Sequence, residues 1–195
     1  MSYNVVMNIC LIGRTGSGKT TLAQKMASEF NLEIICSNML RGYVKQRLDR
    51  YQEVEKCMSL GETVPFEIYE LCLQNKIAST KNKSGFILEN IYPRADCLKI
   101  VERNLENTKF IYLDISEEKA NERSSVRSRD DLSSEFLENR EKVFSSLDKF
   151  LSLLTAESLF VVDASLSESE LFNIVKSWIQ VNLTKVIDET EKSYT

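Results

Sequence analysis

The sequence contains no histidine, which removes imidazole general bases, serine-protease triads and histidine-ligated metals from consideration. Proline occurs 2 times and glycine 6 times in 195 residues, without repeats or low-complexity tracts, so the chain is neither collagen-like nor disordered. The five cysteines, Cys10, Cys36, Cys57, Cys72 and Cys97, are odd in number, widely spaced and free of any CxxC pair. They exclude a disulfide framework and a zinc cluster and indicate a reducing, cytoplasmic setting. No run reaches the roughly 18 apolar residues that a membrane-spanning helix needs. The apolar stretch Val5 to Ile12 lacks a basic leader and a small-residue cleavage site, so no export is expected. With a formal net charge of −4 there is no protein-wide positive field. Neither a nucleic-acid polymer nor an anionic membrane is an expected partner.

The residues that are present describe one folding unit. A chain of 195 residues with 43% hydrophobic and 28% charged side chains supports a single buried core, so 1–195 is read as one domain. Five short apolar runs, Val5 to Ile12, Leu32 to Cys36, Gly85 to Asn90, Lys109 to Leu113 and Ser158 to Val162, alternate with helical patterns. That alternation predicts an α/β fold with a five-stranded parallel sheet covered by helices on both faces. The connection 37–84 is far longer than the dozen or so residues a crossover requires. Its helical pattern at Leu40, Tyr43, Val44, Arg47 and Leu48 predicts an inserted helical lobe. Near the end, Ser167 and Glu170 have capping-box spacing, followed by Leu171, Ile174, Val175, Trp178 and Ile179 at core-facing helical positions. Residues 184–195 lose the pattern and are expected to fray. Charge is uneven: residues 131–195 carry net −6 and the first 130 net +2.

Half of the glycines fall in Gly13-Arg14-Thr15-Gly16-Ser17-Gly18-Lys19-Thr20, which fits GxxxxGK[ST] and lies after an apolar run and before the helical pattern from Thr20 to Phe30. Such glycines let consecutive backbone N–H groups turn inward around a polyphosphate. Lys19 then reaches the β and γ oxygens and Thr20 can ligate Mg²⁺. ATP or GTP is the expected ligand, with Thr21 at the mouth of the loop. Phe86-Ile87-Leu88-Glu89 is an apolar strand ending in a carboxylate, placed to hold Mg²⁺, directly or through water.

Arg41, Arg94, Arg123, Arg127, Arg129 and Arg140 each lie near a strand end or an adjacent helix, and such ends converge in a parallel sheet. Arg140 has Phe136 and Phe144 at i−4 and i+4, so it shares an inward face and needs an anion there. The polar segment from Arg123 to Arg129 reads as a mobile flap between two helical patterns.

Over about residues 8–182 these motifs together resemble the adenylate kinase, or nucleoside monophosphate kinase, family in its short-lid form. The resemblance rests on the phosphate loop, Asn38-Met39-Leu40-Arg41, Gly61-Glu62-Thr63-Val64-Pro65, Gly85 to Glu89 with Tyr92-Pro93-Arg94, Phe110 to Asp114, and Arg123 to Arg140. It implies a P-loop three-layer α/β/α fold with 37–84 as the monophosphate-binding lobe and 124–130 as a short lid. It also implies transfer of the γ-phosphate of Mg·ATP to a nucleoside monophosphate by a monomer, with AMP the first choice. In that resemblance Arg41 and Arg94 hold the acceptor phosphate, Val64 lies beside the acceptor base with Ser37 nearby, and Arg123 stacks on adenine. Arg127, Arg129 and Arg140 gather around the transferring group. The lid has no cysteines, which excludes the zinc-bearing version. This chain departs from the family at Thr20, where glycine is usual, and at Cys36-Ser37-Asn38. It departs again at Asn90-Ile91, at Leu98 in place of a base-reading glutamine, and at Leu132 where a second aspartate is expected. Three other readings remain open: a UMP/CMP-type kinase, a P-loop kinase of a non-nucleotide metabolite, and an ATP-binding regulator that has lost catalysis.

Overall fold

The computed structural model describes residues 7–44, 50–81, 83–89, 91–125 and 133–192. All 5 residues of strand β1 (Asn8–Ile12) are buried, because helices cover both faces of the sheet. The chain then runs α1 (Lys19–Phe30), β2 (Glu33–Ile35), α2 (Asn38–Val44), α3 (Tyr51–Ser59), α4 (Phe66–Ser79) and β3 (Phe86–Leu88). It continues through α5 (Ala95–Asn104), β4 (Thr108–Asp114), α6 (Glu117–Ser125), α7 (Ser134–Phe144), α8 (Leu147–Leu151), β5 (Leu159–Asp163) and α9 (Glu168–Lys192). The five strands pair in the order β2-β3-β1-β4-β5, and every pairing is parallel.

The alternation of side chains along β1 builds the three layers. Ile9 and Leu11 join Leu22 and Met26 of α1 and Val175 and Ile179 of α9 on one face. Cys10 and Ile12 join Leu73 of α4, Val101 of α5 and Phe150 of α8 on the other. A third, smaller cluster of Leu40, Val54, Val64, Ile68 and Cys72 holds α2, α3 and α4 together between β2 and β3. Asn8 is a polar residue buried in the central strand. It is satisfied on both sides: its Nδ2 donates to the Glu106 carbonyl at 2.7 Å and its Oδ1 accepts from the Phe86 N–H at 3.0 Å.

The expected tail differs from what is found. α9 continues to Lys192 as a helix of 25 residues. No glycine or proline lies between 184 and 192, so nothing in the backbone terminates it. Its start is the expected capping box, with Glu170 Oε2 accepting from the Ser167 N–H at 3.1 Å and Ser167 Oγ accepting from the Glu170 N–H at 3.3 Å. Trp178 stacks on Phe160 of β5 with ring centroids 4.9 Å apart and planes 9° apart. Ile174, expected to face the core, is 41% exposed, because the buried stripe Leu171, Val175 and Ile179 advances by four and leaves it to one side. Among the described residues no helix is long and apolar enough to cross a membrane.

Candidate active site

The strand order reverses around β1, with β3 on one side and β4 on the other. A parallel sheet opens a crevice at the carboxyl end of such a strand, and the loop Gly13 to Gly18 starts there. Gly16 and Gly18 have φ of 86° and 93°, a region a side chain would strain. Gly18 is the N-cap of α1, with no side-chain cap and no acidic residue in the first turn. The N–H groups of that turn, with the helix dipole behind them, therefore favour an anion. Thr15 lies in the turn of the loop. The Ser17 N–H donates to the Arg14 carbonyl at 3.2 Å, and the Ser17 side chain is buried. Lys19 Nζ donates to the carbonyl oxygens of Gly13 and Arg14 at 2.7 and 2.8 Å. The ammonium thus sits over the loop, where a phosphoryl oxygen carrying full charge is the stronger acceptor.

Thr20 and Glu89 meet although far apart in sequence: the Thr20 hydroxyl donates to the Glu89 carboxylate. Glu89 is anchored just beyond β3 by its own N–H, which donates to the Ile35 carbonyl at 2.9 Å. A hydroxyl and a carboxylate oxygen beside a phosphate loop are the hard donors that Mg²⁺ takes. No group of three or more acidic or cysteine ligands occurs among the described residues, so the donor set suits a cation that also binds phosphate oxygens and water.

A cavity of about 510 Å³ opens beside the loop, between Gly18, Thr21 and Lys25 on one side and Arg123, Leu166 and Glu168 on the other. Arg123 lies in the last turn of α6, not in the expected flap. It donates to the carbonyls of Ala164 at 2.7 Å and Ser165 at 3.4 Å, which fixes its guanidinium on the turn after β5. The Ser165 N–H donates in its turn to Asp163 Oδ1 at 2.7 Å, and the Ser165 hydroxyl, followed by this N–H, holds the Asp163 carboxyl below its usual range.

On the other side of the loop, Arg140 of α7 lies over the Tyr92 ring, 5.9 Å from its centroid. Its Nε is buried without a hydrogen-bond partner. Burial pushes the Tyr92 phenol up, opposed by the Arg140 charge. Phe144 faces the core as expected, whereas Phe136 is only partly buried. Arg94, the N-cap of α5, places its guanidinium 4.9 Å from the centre of the Phe66 ring and lines a second cavity, about 550 Å³, between Glu62 and Lys142. Arg41 is exposed on α2, and Ser37 precedes that helix, its carbonyl accepting the Leu40 N–H at 3.1 Å. The Val64 side chain is buried in the α2 to α4 cluster, so only its backbone can face a ligand. Leu98 is buried against α4 and α8 neighbours. Arg127 and Arg129, with most of the expected lid 124–130, lie outside the described residues.

Several contacts escaped the sequence reading. Arg14 was expected to serve the nucleotide, yet its guanidinium donates to Glu141 of α7, and that bond holds Arg14 above its ordinary range. Asn139 Nδ2 donates to the Leu60 carbonyl at 2.9 Å, and a Cβ on Gly61, whose φ is 70°, would lie 2.7 Å from the Phe136 carbonyl oxygen. α7 thus touches both the phosphate loop and the helical insertion. No local pattern announces such pairs, since each joins solvated charges or amides across distant segments.

The chain is similar to known proteins. The family described as an AAA domain matches residues 12–138. An adenylate kinase of Mycobacterium sp. (strain MCS) is 30% identical over 175 residues, covering 85% of this chain and 95% of that protein. The chain belongs to the adenylate kinase family. Other members of the family align over less of their length. One from Methanosarcina barkeri (strain Fusaro / DSM 804) is 32% identical across 62% of this chain and 59% of its own. One from Rickettsia africae (strain ESF-5) is 31% identical across 57% of this chain and 54% of its own. The matched part of this chain spans little more than half of those two relatives. The unliganded structure of a sugar kinase from Janibacter sp. superposes with a TM-score of 0.64 at 20% identity, covering 90% of this chain and 95% of that one. The fold is accordingly a P-loop α/β fold, shared with that sugar kinase.

Proposed function

We propose that this protein is a nucleoside monophosphate kinase that transfers the γ-phosphate of Mg·ATP to its acceptor, with AMP the first choice, working as a monomer in the cytoplasm. The observation that carries this reading is the pairing of two halves around one loop. On one side stand the uncapped α1 N-terminus, Lys19 and the Thr20–Glu89 pair. On the other stands Arg140, with a buried Nε that has no partner. A guanidinium so placed is suited to a phosphoryl oxygen.

In this mechanism no side chain needs to act as a strong base, because positioning and charge neutralisation supply the rate. The loop N–H groups and Lys19 hold the β- and γ-phosphates. Thr20 and Glu89 would hold Mg²⁺, which when bound neutralises charge on the β and γ oxygens. Arg41 and Arg94 orient the acceptor phosphate from the helical insertion and the start of α5, with Ser37 and the Val64 backbone at the nucleoside. Arg140, joined by Arg127 and Arg129 from the lid, stabilises charge on the transferring group. Arg123 forms the wall of the adenine cavity. The experiment is a coupled ADP-release assay with ATP against AMP, UMP, CMP, GMP and dTMP. AMP turnover supports the reading in full, and turnover of another monophosphate redirects the specificity. Lys19→Ala is expected to lower turnover by about 10²- to 10³-fold with an unchanged melting temperature, and near-normal turnover in that variant would end the assignment. A second reading, a kinase of a non-nucleotide alcohol, draws on Leu98, apolar and buried where family members read the base. It predicts no turnover of any monophosphate.

A further inference from the structure

Arg14 and Glu141 stand 127 positions apart and are joined by a hydrogen-bonded ion pair. Arg14 is part of the phosphate loop, and its carbonyl accepts from Lys19 Nζ at 2.8 Å. Glu141 follows Arg140 directly on α7. A chain of contacts therefore runs from Lys19 through Arg14 and Glu141 to the backbone that carries Arg140. α7 has two further anchors, one on each side of Glu141: Asn139 bonds the Leu60 carbonyl, and Ser146, just past the helix, donates to the Pro93 carbonyl at 2.8 Å. Arg14 to Glu141 is a direct side-chain bond between α7 and the phosphate loop. Both side chains keep access to water, at 27% and 49% exposure, so the pair contributes little to global stability. Its geometric effect is larger, because a displacement of about 1 Å in a reacting group can cost on the order of 10²-fold in rate.

We propose that Arg14 and Glu141 are positioning residues that set the register of α7, and with it Arg140, against the phosphate loop, so that nucleotide seated on the loop orders the helix bearing Arg140. The catalytic consequence rests on the kinase reading above; the mechanical coupling does not. Arg14 also faces Glu117, whose charge adds to its attraction for its site, but Glu141 supplies the bond. A loop arginine with a free guanidinium would bind polyphosphate itself. Here that charge is committed to α7, and the loop binds phosphate through its N–H groups and Lys19.

The test compares the wild type with Arg14→Met, Glu141→Gln, the double variant and Arg14→Lys. Hydrogen exchange of residues 134–144 is measured with and without Mg·ATP, beside the ATP dissociation constant, the melting temperature and steady-state kinetics. In the wild type, ATP is expected to protect α7. Arg14→Met, Glu141→Gln and the double variant should each lose that protection, with ATP affinity within about threefold and the melting temperature unchanged. Each should lower kcat by roughly tenfold. The double variant should be no worse than either single one, since coupled partners are not additive, and Arg14→Lys should keep the protection. The proposal is overturned if α7 protection survives in Glu141→Gln, if the kcat losses multiply in the double variant, or if Arg14→Met loses ATP affinity while Glu141→Gln does not. The last outcome would make Arg14 a phosphate ligand. Should the wild type phosphorylate no monophosphate, the acceptor reading fails, and the exchange measurement still decides the pair.

Discussion

Arg140 keeps a buried Nε without a partner, and a buried unsatisfied donor costs on the order of 1–3 kcal/mol. Such a cost is characteristic of a functional site, where stability is given up for binding. Arg140→Met, of similar length, removes the donor and keeps the packing on Tyr92. It is expected to leave stability unchanged or raised by about 1 kcal/mol, while turnover falls about 10²-fold; thermal melts run beside the kinase assay separate the two effects. The thiols follow from burial alone. Burial pushes Cys97 up to about 12 and Cys72 up to about 11, and Cys10 higher still. A thiol raised in the fold contributes stability below its unfolded value of roughly 8.5, and that contribution is lost as pH climbs toward the folded value. Chemical denaturation midpoints are therefore expected to fall between about pH 9 and pH 11. Alkylation of the native protein at neutral pH should spare Cys10, Cys72 and Cys97 and reach only the partly exposed Cys36 and Cys57, as peptide mapping would show.

The contact between the helical insertion and α7 depends on Gly61, which has a left-handed φ of 70° and no room for a Cβ beside Phe136. Gly61→Ala is expected to destabilise by about 1–2 kcal/mol and to raise the acceptor KM more than the ATP KM, because the change lies on the insertion side of α7. Equal effects on both constants would show that the contact serves only the global fold. Strand positions were readable because apolar runs of period two, or without period, mark buried strands: each of the five runs overlaps a strand, with β4 one residue longer than its run at each end and β5 shifted by one residue. Elements that ended on polar residues were harder. The flap from Arg123 was read as loop because it is polar and lacks bulky core residues apart from Val126, yet α6 holds Arg123 and reaches Ser125, its helix carried by packing of Ala120 and by the Ser124 hydroxyl bond to the Ala120 carbonyl at 2.8 Å. Likewise the polar end of α9 stays helical because helix propensity needs no apolar stripe.

For the whole molecule, α9 closes the sheet face that also carries α1, and Trp178 against Phe160 is part of that closure. Trp178→Ala, at a partly buried position, should cost about 1–3 kcal/mol, measured by denaturant unfolding followed by circular dichroism, since Trp178 is the sole tryptophan. A change near zero would mean that α9 docks through Leu171, Val175 and Ile179 alone. Fold class and the phosphate loop could be read from the chain because both are local: hydrophobic period, strand–glycine–helix context and the spacing of Lys19 and Thr20 survive without any knowledge of packing. The partners of the arginines could not. Arg14 bonds Glu141 and Asn139 bonds Leu60 across 127 and 79 positions, and such solvated pairs form wherever the buried faces of α7 and the insertion bring their outer surfaces together. Burial is encoded residue by residue in apolarity. The meeting of polar side chains is set by the angles at which helices pack, which no short stretch of sequence contains.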